Sequence, residues 1–324
     1  MASVCTKSPF PVHVHPFKVP GQSTCAYEMG EPSSRNALIF IGGLGDGPHT
    51  TPYIRTVARH LQSEASKALC YSVFEIRLRS SFIGFGTRSL KEDVEDISAF
   101  VKYLRGIGKE KIVLFGHSTG CQDCMEYADY TTHQNIPVDG FILQAPVSDR
   151  ESIENACSDY HASLDVAKKW IAEGRGNDCL PSTDKVVCLL GAPISAYRLH
   201  SLGDDDYFSS DLDDETVSRF WKRFTKPVLV LHSEKDEYVP ARISQVMLNN
   251  RYREAGPSVS QLSGLIPDTG HTVKREKARN WLAERVVAFL QTLNGEQRKE
   301  GGTGSFKAHG AVDEMDDLAL HYAG

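Results

Sequence analysis

The chain has 324 residues, 40% hydrophobic and 24% charged, with a formal net charge of −6 and a sequence pI of about 6.1. That length suits one large α/β domain with an insertion, or two smaller domains, and the apolar content can fill a core. A net acidic chain lacks the basic face that nucleic acid or an anionic membrane needs, so neither is expected as a partner.

No stretch approaches the roughly 18 uninterrupted apolar residues of a membrane span, and prolines and histidines break up the N-terminus before any signal-peptide core can form. The C-terminal His-Tyr-Ala-Gly matches no retention or peroxisomal signal, so the expected location is the cytoplasm. The eight cysteines (Cys5, Cys25, Cys70, Cys121, Cys124, Cys157, Cys179 and Cys188) then read as reduced thiols rather than a disulfide framework.

In chain order, residues 1–36 carry Pro and Gly punctuation and predict a small hairpin or an extended arm. Ala37–Ile41 is a short apolar run of the kind found in a strand buried on both faces, and it ends in the Gly-rich turn Gly42–Gly47. Residues 51–66 place Tyr53, Ile54, Val57, Ala58 and Leu61 on one helical face. Tyr71–Ile76 predicts a second strand. Ser89 and Glu92 form a capping-box pattern ahead of a helix over 89–105. Further strands are expected at Lys111–Phe115, Gly140–Gln144, Pro227–Leu231 and Gln261–Ile266, with helices from about Thr119 and over about 277–293. This alternation predicts an α/β chain with a mostly parallel sheet covered on both faces.

The rhythm breaks over 149–224, a polar, helix-rich segment with the acidic residues Asp204, Asp205, Asp206, Asp211, Asp213, Asp214 and Glu215. It reads as a cap inserted between strands, its acidic run as a solvated face. Residues 295–324 are rich in Gly and charge and read as a flexible tail. The expected organisation is a core in two parts, 1–148 and 225–294, with a cap at 149–224 and a tail at 295–324.

Gly116-His-Ser-Thr-Gly120 lies between a predicted strand and a predicted helix, the setting of a G-x-S-x-G nucleophile elbow. Such a turn lifts Ser118 clear of the sheet, and the following helix N-terminus favours a developing oxyanion. A serine hydroxyl needs a base, which in this chain order comes last. His271, in Asp268-Thr-Gly-His-Thr272 after the last predicted strand, holds that place. The acid that would orient it is Asp236, in a turn closed by Val239-Pro240, with Asp149 as the rival after the 140–144 strand. The oxyanion would be held by the N–H groups of Thr119 and of Leu44. The Gly42–Gly47 turn lacks the Lys-Ser/Thr of a phosphate loop. Cys121 and Cys124, one helical turn apart, read as core packers. No metal or cofactor is expected from the ligand spacings.

On these residues the chain resembles the fungal α/β-hydrolases related to intracellular siderophore esterases, which cleave fusarinine-type esters. The resemblance rests on Phe40–Gly47, Ser80–Leu90, Gly116–Asp123 and Leu143–Arg150, and spans residues 10–293. It implies an α/β-hydrolase fold with an inserted helical cap and a serine carboxylic ester hydrolase acting on a small-molecule ester. The oligomeric state stays open. A lipid ester or thioester substrate is the alternative within enzymes, and a non-catalytic binding protein the alternative outside them. The free amines of fusarinine-type siderophores suggest that Asp204, Asp205 and Asp206 steer a cationic substrate.

Overall fold

The computed structural model describes residues 9–204 and 206–295. Its centre is an eight-stranded sheet. β1 (His13–Val19) and β2 (Gln22–Met29) form an antiparallel hairpin, and β2 continues antiparallel onto β4 (Tyr71–Ile76). The other strands are parallel: β3 (Asn36–Ile41), β5 (Ile112–His117), β6 (Gly140–Gln144), β7 (Val228–Ser233) and β8 (Gly264–Ile266). Their order is β1-β2-β4-β3-β5-β6-β7-β8. Of the two readings for the leading segment the hairpin holds over 13–29, turning at Gly21 with φ +79.

The buried runs alternate between two cores. Ala37, Ile39 and Ile41 of β3, with Ile112 and Leu114 of β5, face one cluster. That cluster also takes Ile97, Phe100 and Val101 of α2 (Leu90–Gly106) and Cys121, Cys124 and Met125 of α3 (Gly120–Tyr127). Leu38 and Phe40 of β3, with Val113 and Phe115 of β5, face the other, against Val57 and Leu61 of α1 (Ile54–Leu61). Leu282, Val286 and Phe289 of a long C-terminal helix complete this second side. Strands buried on both faces carry no polar alternation, which is why their sequences are unbroken apolar runs. The capping box on α2 is formed, Ser89 Oγ accepting from Glu92 N at 3.3 Å and Glu92 Oε2 accepting from Ser89 N at 3.0 Å.

After a one-turn α4 (Tyr130–His133), five helices stand between β6 and β7: α5 (Asp149–Ala156), α6 (Tyr160–Ala172), α7 (Lys185–Leu190), α8 (Ala196–Asp204) and α9 (Asp214–Trp221). Ile153, Tyr160, Leu164, Val186, Ile194 and Leu199 share a cluster of their own. Tyr207, Phe208, Val217 and Trp221 instead pack into the sheet's first core, so the separate cluster of the segment between β6 and β7 ends at Leu202. The chain closes with α10 (Gln245–Ala255), which the sequence reading missed, and α11 (Glu276–Gly295). Two other elements are shorter than expected. The helix foreseen over 51–66 runs 54–61, and the strand foreseen over 261–266 pairs only at 264–266. Of the tail expected at 295–324, Gly295 ends α11, and residues 296–324, like Cys5, lie outside the described residues. Among the described residues no helix is long and apolar enough to cross a membrane.

Candidate active site

The chain runs from β3 outward to β4, then from β3's other neighbour β5 outward to β6, β7 and β8. The carboxyl ends of β3 and β5 therefore flank the point where the strand order reverses, where such sheets open a crevice. The two glycine-bearing loops emerge there.

β5 ends at His117, Ser118 takes φ +54, and α3 begins at Gly120. The left-handed turn is possible only because the chain folds tightly back. A Cβ on Gly116 would lie 2.3 Å from Gly120 O, and one on Gly120 2.4 Å from Ile41 O. Ser118 N–H donates to Gln144 O at 3.0 Å, tying the elbow to β6. The loop after β3 presses against this turn, since a Cβ on Gly43 would meet Ser118 Cβ at 2.7 Å. Gly43 N–H is taken by Asp46 Oδ2 at 3.0 Å. Among the described residues neither Leu44 N–H nor Thr119 N–H donates a hydrogen bond, so both expected oxyanion donors remain available beside the serine.

Beyond β8, the loop carrying His271 is laced to the loop carrying Asp236. Lys235 N–H donates to Thr269 O at 2.8 Å, and His271 N–H donates to Glu237 Oε2 at 2.8 Å. His271 Nδ1 lies 2.8 Å from Asp236 Oδ2 and 3.0 Å from Oδ1. A carboxylate only accepts, so Nδ1 carries the proton and Nε2 presents its lone pair. Tyr238 covers the imidazole, ring centroids 4.7 Å apart. Ser118, His271 and Leu44 line one cavity of about 410 Å³, whose other walls include Phe85, Ile153 and Leu189. No direct Ser118–His271 hydrogen bond forms among the described residues, and such bonds often tighten only on substrate binding.

The rival acid, Asp149, lines the same cavity but does not touch His271. It accepts from Gln122 Nε2 at 2.7 Å and from Thr119 Oγ1 at 3.4 Å, on the α3 side of the serine.

Three residues the sequence reading passed over organise the site. Gln144, at the end of β6, is fully buried and all four of its amide positions are used. Oε1 accepts from His117 Nδ1 at 2.6 Å and Tyr53 OH at 2.9 Å, while Nε2 donates to Ser233 Oγ at 3.1 Å and His271 O at 3.3 Å. Burial, then the neighbouring His271, pushes the His117 pKa down to about 3, so this ring stays neutral beside the cavity. Glu237, one residue past Asp236, supports the His271 backbone. A polar residue closing a buried strand was the one available signal for Gln144.

The acidic run of the insertion is not one solvated face. Asp211, Asp213, Asp214 and Glu215 are exposed, but Asp206 is only 6% exposed. It accepts from Ser148 Oγ, from Arg150 N–H at 3.2 Å and from Phe208 N–H at 2.9 Å. These local donors replace its water, so it is a structural anchor and not a steering charge. Asp205 and the Asp204 side chain lie outside the described residues. Cys121 and Cys124 are fully buried free thiols inside the first core. Among the described residues no group of three or more His, Cys, Asp or Glu is placed to hold a metal ion.

A family model described as "Protein of unknown function (DUF1749)" matches residues 5–291. A UPF0613 protein of Schizosaccharomyces pombe is 35% identical over 287 residues, covering 80% of this chain and 89% of that one. Fusarinine C esterase sidJ of Aspergillus fumigatus is 30% identical over 321 residues, covering 80% of this chain and 89% of that one. Among solved structures, siderophore hydrolase EstB from Aspergillus fumigatus superimposes with a TM-score of 0.74 at 28% identity, over 89% of this chain and 99% of that chain. The sheet order and these likenesses give the α/β-hydrolase fold.

Proposed function

The chain belongs to the DUF1749 family, and we propose that it is a serine esterase in which Ser118, His271 and Asp236 act as nucleophile, base and orienting acid. That it is a carboxylic ester hydrolase rests on its relatives, among them fusarinine C esterase sidJ and siderophore hydrolase EstB. The observation that carries the triad is the Asp236 carboxylate on His271 Nδ1 at 2.8 Å, which leaves Nε2 basic in the cavity that Ser118 lines.

In this reading His271 Nε2 takes the proton of Ser118 Oγ as the oxygen attacks the ester carbonyl. The N–H groups of Leu44 and Thr119 hold the carbonyl oxygen as it becomes negative. His271 returns the proton to the departing alcohol, leaving Ser118 acylated. Water then attacks the acyl carbon while giving a proton to His271, and His271 passes that proton to Ser118 Oγ as the acid leaves. Asp236 keeps the imidazole in the correct tautomer and stabilises its charged form. The proposed substrate is a small-molecule ester, and a hydroxamate siderophore ester of fusarinine type is the first candidate by kinship to the relatives named above. Localisation in the cytoplasm belongs to the same proposal.

The test is hydrolysis of fusarinine C and simple acyl esters followed by mass spectrometry, beside labelling by a fluorophosphonate. Ser118→Ala should lower kcat by roughly four orders of magnitude or more and abolish labelling while the fold persists. A wild-type chain that neither labels nor hydrolyses any ester would leave the non-catalytic binding protein as the better account.

A further inference from the structure

Among the described residues, the cavity holding Ser118 has no Lys or Arg in its wall, yet it has two carboxylates, Asp46 and Asp149. Asp46 is engaged by its own loop, Oδ2 accepting from Gly43 N–H at 3.0 Å and Oδ1 from Thr50 Oγ1 at 2.8 Å. Asp149 differs. It is 7% exposed and is held only by neutral donors, Gln122 Nε2 and Thr119 Oγ1. Among the described residues no basic nitrogen approaches it within ion-pair distance. The nearby charge that opposes its ionisation is Asp206, and the Arg198 guanidinium acts on it only from beyond contact, its Nε being donated to Phe85 O at 3.0 Å. A buried carboxylate without a contacting cation is costly. Asp149 lines the cavity, whose wall also carries the aromatic rings of Phe85 and Tyr238, and such rings can face a cation.

We propose that Asp149 is a specificity-determining residue that receives a cationic group, a primary ammonium, of the ester substrate bound over Ser118. This rests on the reading of Ser118 as nucleophile. The arrangement fits a substrate-supplied counter-ion. Burial and Asp206 raise the Asp149 pKa to about 7, so at neutral pH the carboxyl can lose its proton as an ammonium arrives. A negatively charged acyl group would meet Asp46 and Asp149 with only the non-contacting Arg198 guanidinium to offset them. The inference also relocates the cation preference from the acidic run at 204–206 to a residue inside the cavity.

The experiment compares p-nitrophenyl esters of a short series of ω-amino acids with their N-acetyl counterparts, which lack the charge, each rate being divided by that ester's uncatalysed hydrolysis. The wild type should favour the free amine in kcat/KM by about 10-fold or more at the best chain length, as one charge-assisted contact allows. Asp149→Asn should collapse that ratio towards one, mainly through the KM of the cationic ester. Because the asparagine also touches Thr119, a fall on both esters is tolerable and the ratio is the readout. No preference in the wild type at any chain length overturns the proposal, whether or not the variant folds, and so does a ratio unchanged in Asp149→Asn. Ser118→Ala separates the two readings. If it abolishes turnover of both esters while the ratio test fails, only the Asp149 assignment falls. If it leaves turnover intact, the nucleophile assignment falls first.

Discussion

Glu237 Oε2 accepts the backbone N–H of His271 at 2.8 Å, so the loop that carries the imidazole is held by the residue next to the one that orients it. One turn after β7 thus fixes both the backbone and the ring of His271. Glu237 is exposed, so solvent weakens the bond to about 1 kcal/mol. Glu237→Ala should lower kcat/KM roughly 5-fold through kcat, with Glu237→Gln intermediate because its amide oxygen still accepts. Steady-state kinetics on a simple ester check this.

Gln144 carries a larger share of the site's order. Gln144→Leu would strand His117 Nδ1–H and the Tyr53 hydroxyl in a fully buried setting. Two unpaired buried donors should cost about 2–4 kcal/mol. Gln144→Glu should fare little better, because a carboxylate cannot donate to Ser233 Oγ and His271 O. Urea unfolding midpoints of the two variants against the wild type measure this, with Tyr53→Phe as the mild reference.

What could be read from sequence follows from how each signal is physically encoded. The strands at 37–41, 71–76, 112–117 and 140–144 are buried on both faces, and a doubly buried strand leaves an apolar run that little else explains. The Ser118 turn leaves glycines whose absence of Cβ is sterically required. By contrast α10 buries chiefly Asn249 and Tyr252, so it has no apolar stripe to find, and Ser244, its N-cap, was the only cue. Asp206 was invisible for the opposite reason. It sits in an acidic run that looks solvated, and only the fold brings Ser148 and the N–H of Arg150 to it. The Gln144 amide joins four residues from distant segments, a convergence that no local pattern announces.

The loop after β3 offers a steric test. Gly43→Ala would place a methyl 2.7 Å from Ser118 Cβ and 3.2 Å from His117 O, neither of which can move without disturbing the elbow. Overpacking of this kind should cost about 1–3 kcal/mol of stability. Since the strain falls on Ser118, kcat should drop by at least about 10-fold with KM less affected. Thermal melts and kinetics on the same variant separate the two effects.

Two buried groups at the cavity should give stability opposite dependences on pH. Asp149 has its pKa raised from 3.8 to about 7 by burial and then Asp206, so the folded state holds a proton that the unfolded chain has lost. Its contribution is fully present below about pH 4 and disappears as pH rises through about 7. His117 has its pKa lowered from 6.5 to about 3 by burial and then His271, so its contribution is present above about 6.5 and is lost as pH falls towards 3. At about 1.4 kcal/mol per pH unit over the two units from pH 5 to 7, Asp149→Asn should gain about 3 kcal/mol relative to wild type between pH 5 and pH 8. His117→Asn should move the other way, gaining on the wild type as pH falls from 7 to 5, because the asparagine has no proton to take up in the unfolded state. Denaturation of both variants and the wild type across this range reads the two slopes directly. Parallel slopes would mean that Asp149 and His117 titrate in the folded protein as they do in the unfolded chain.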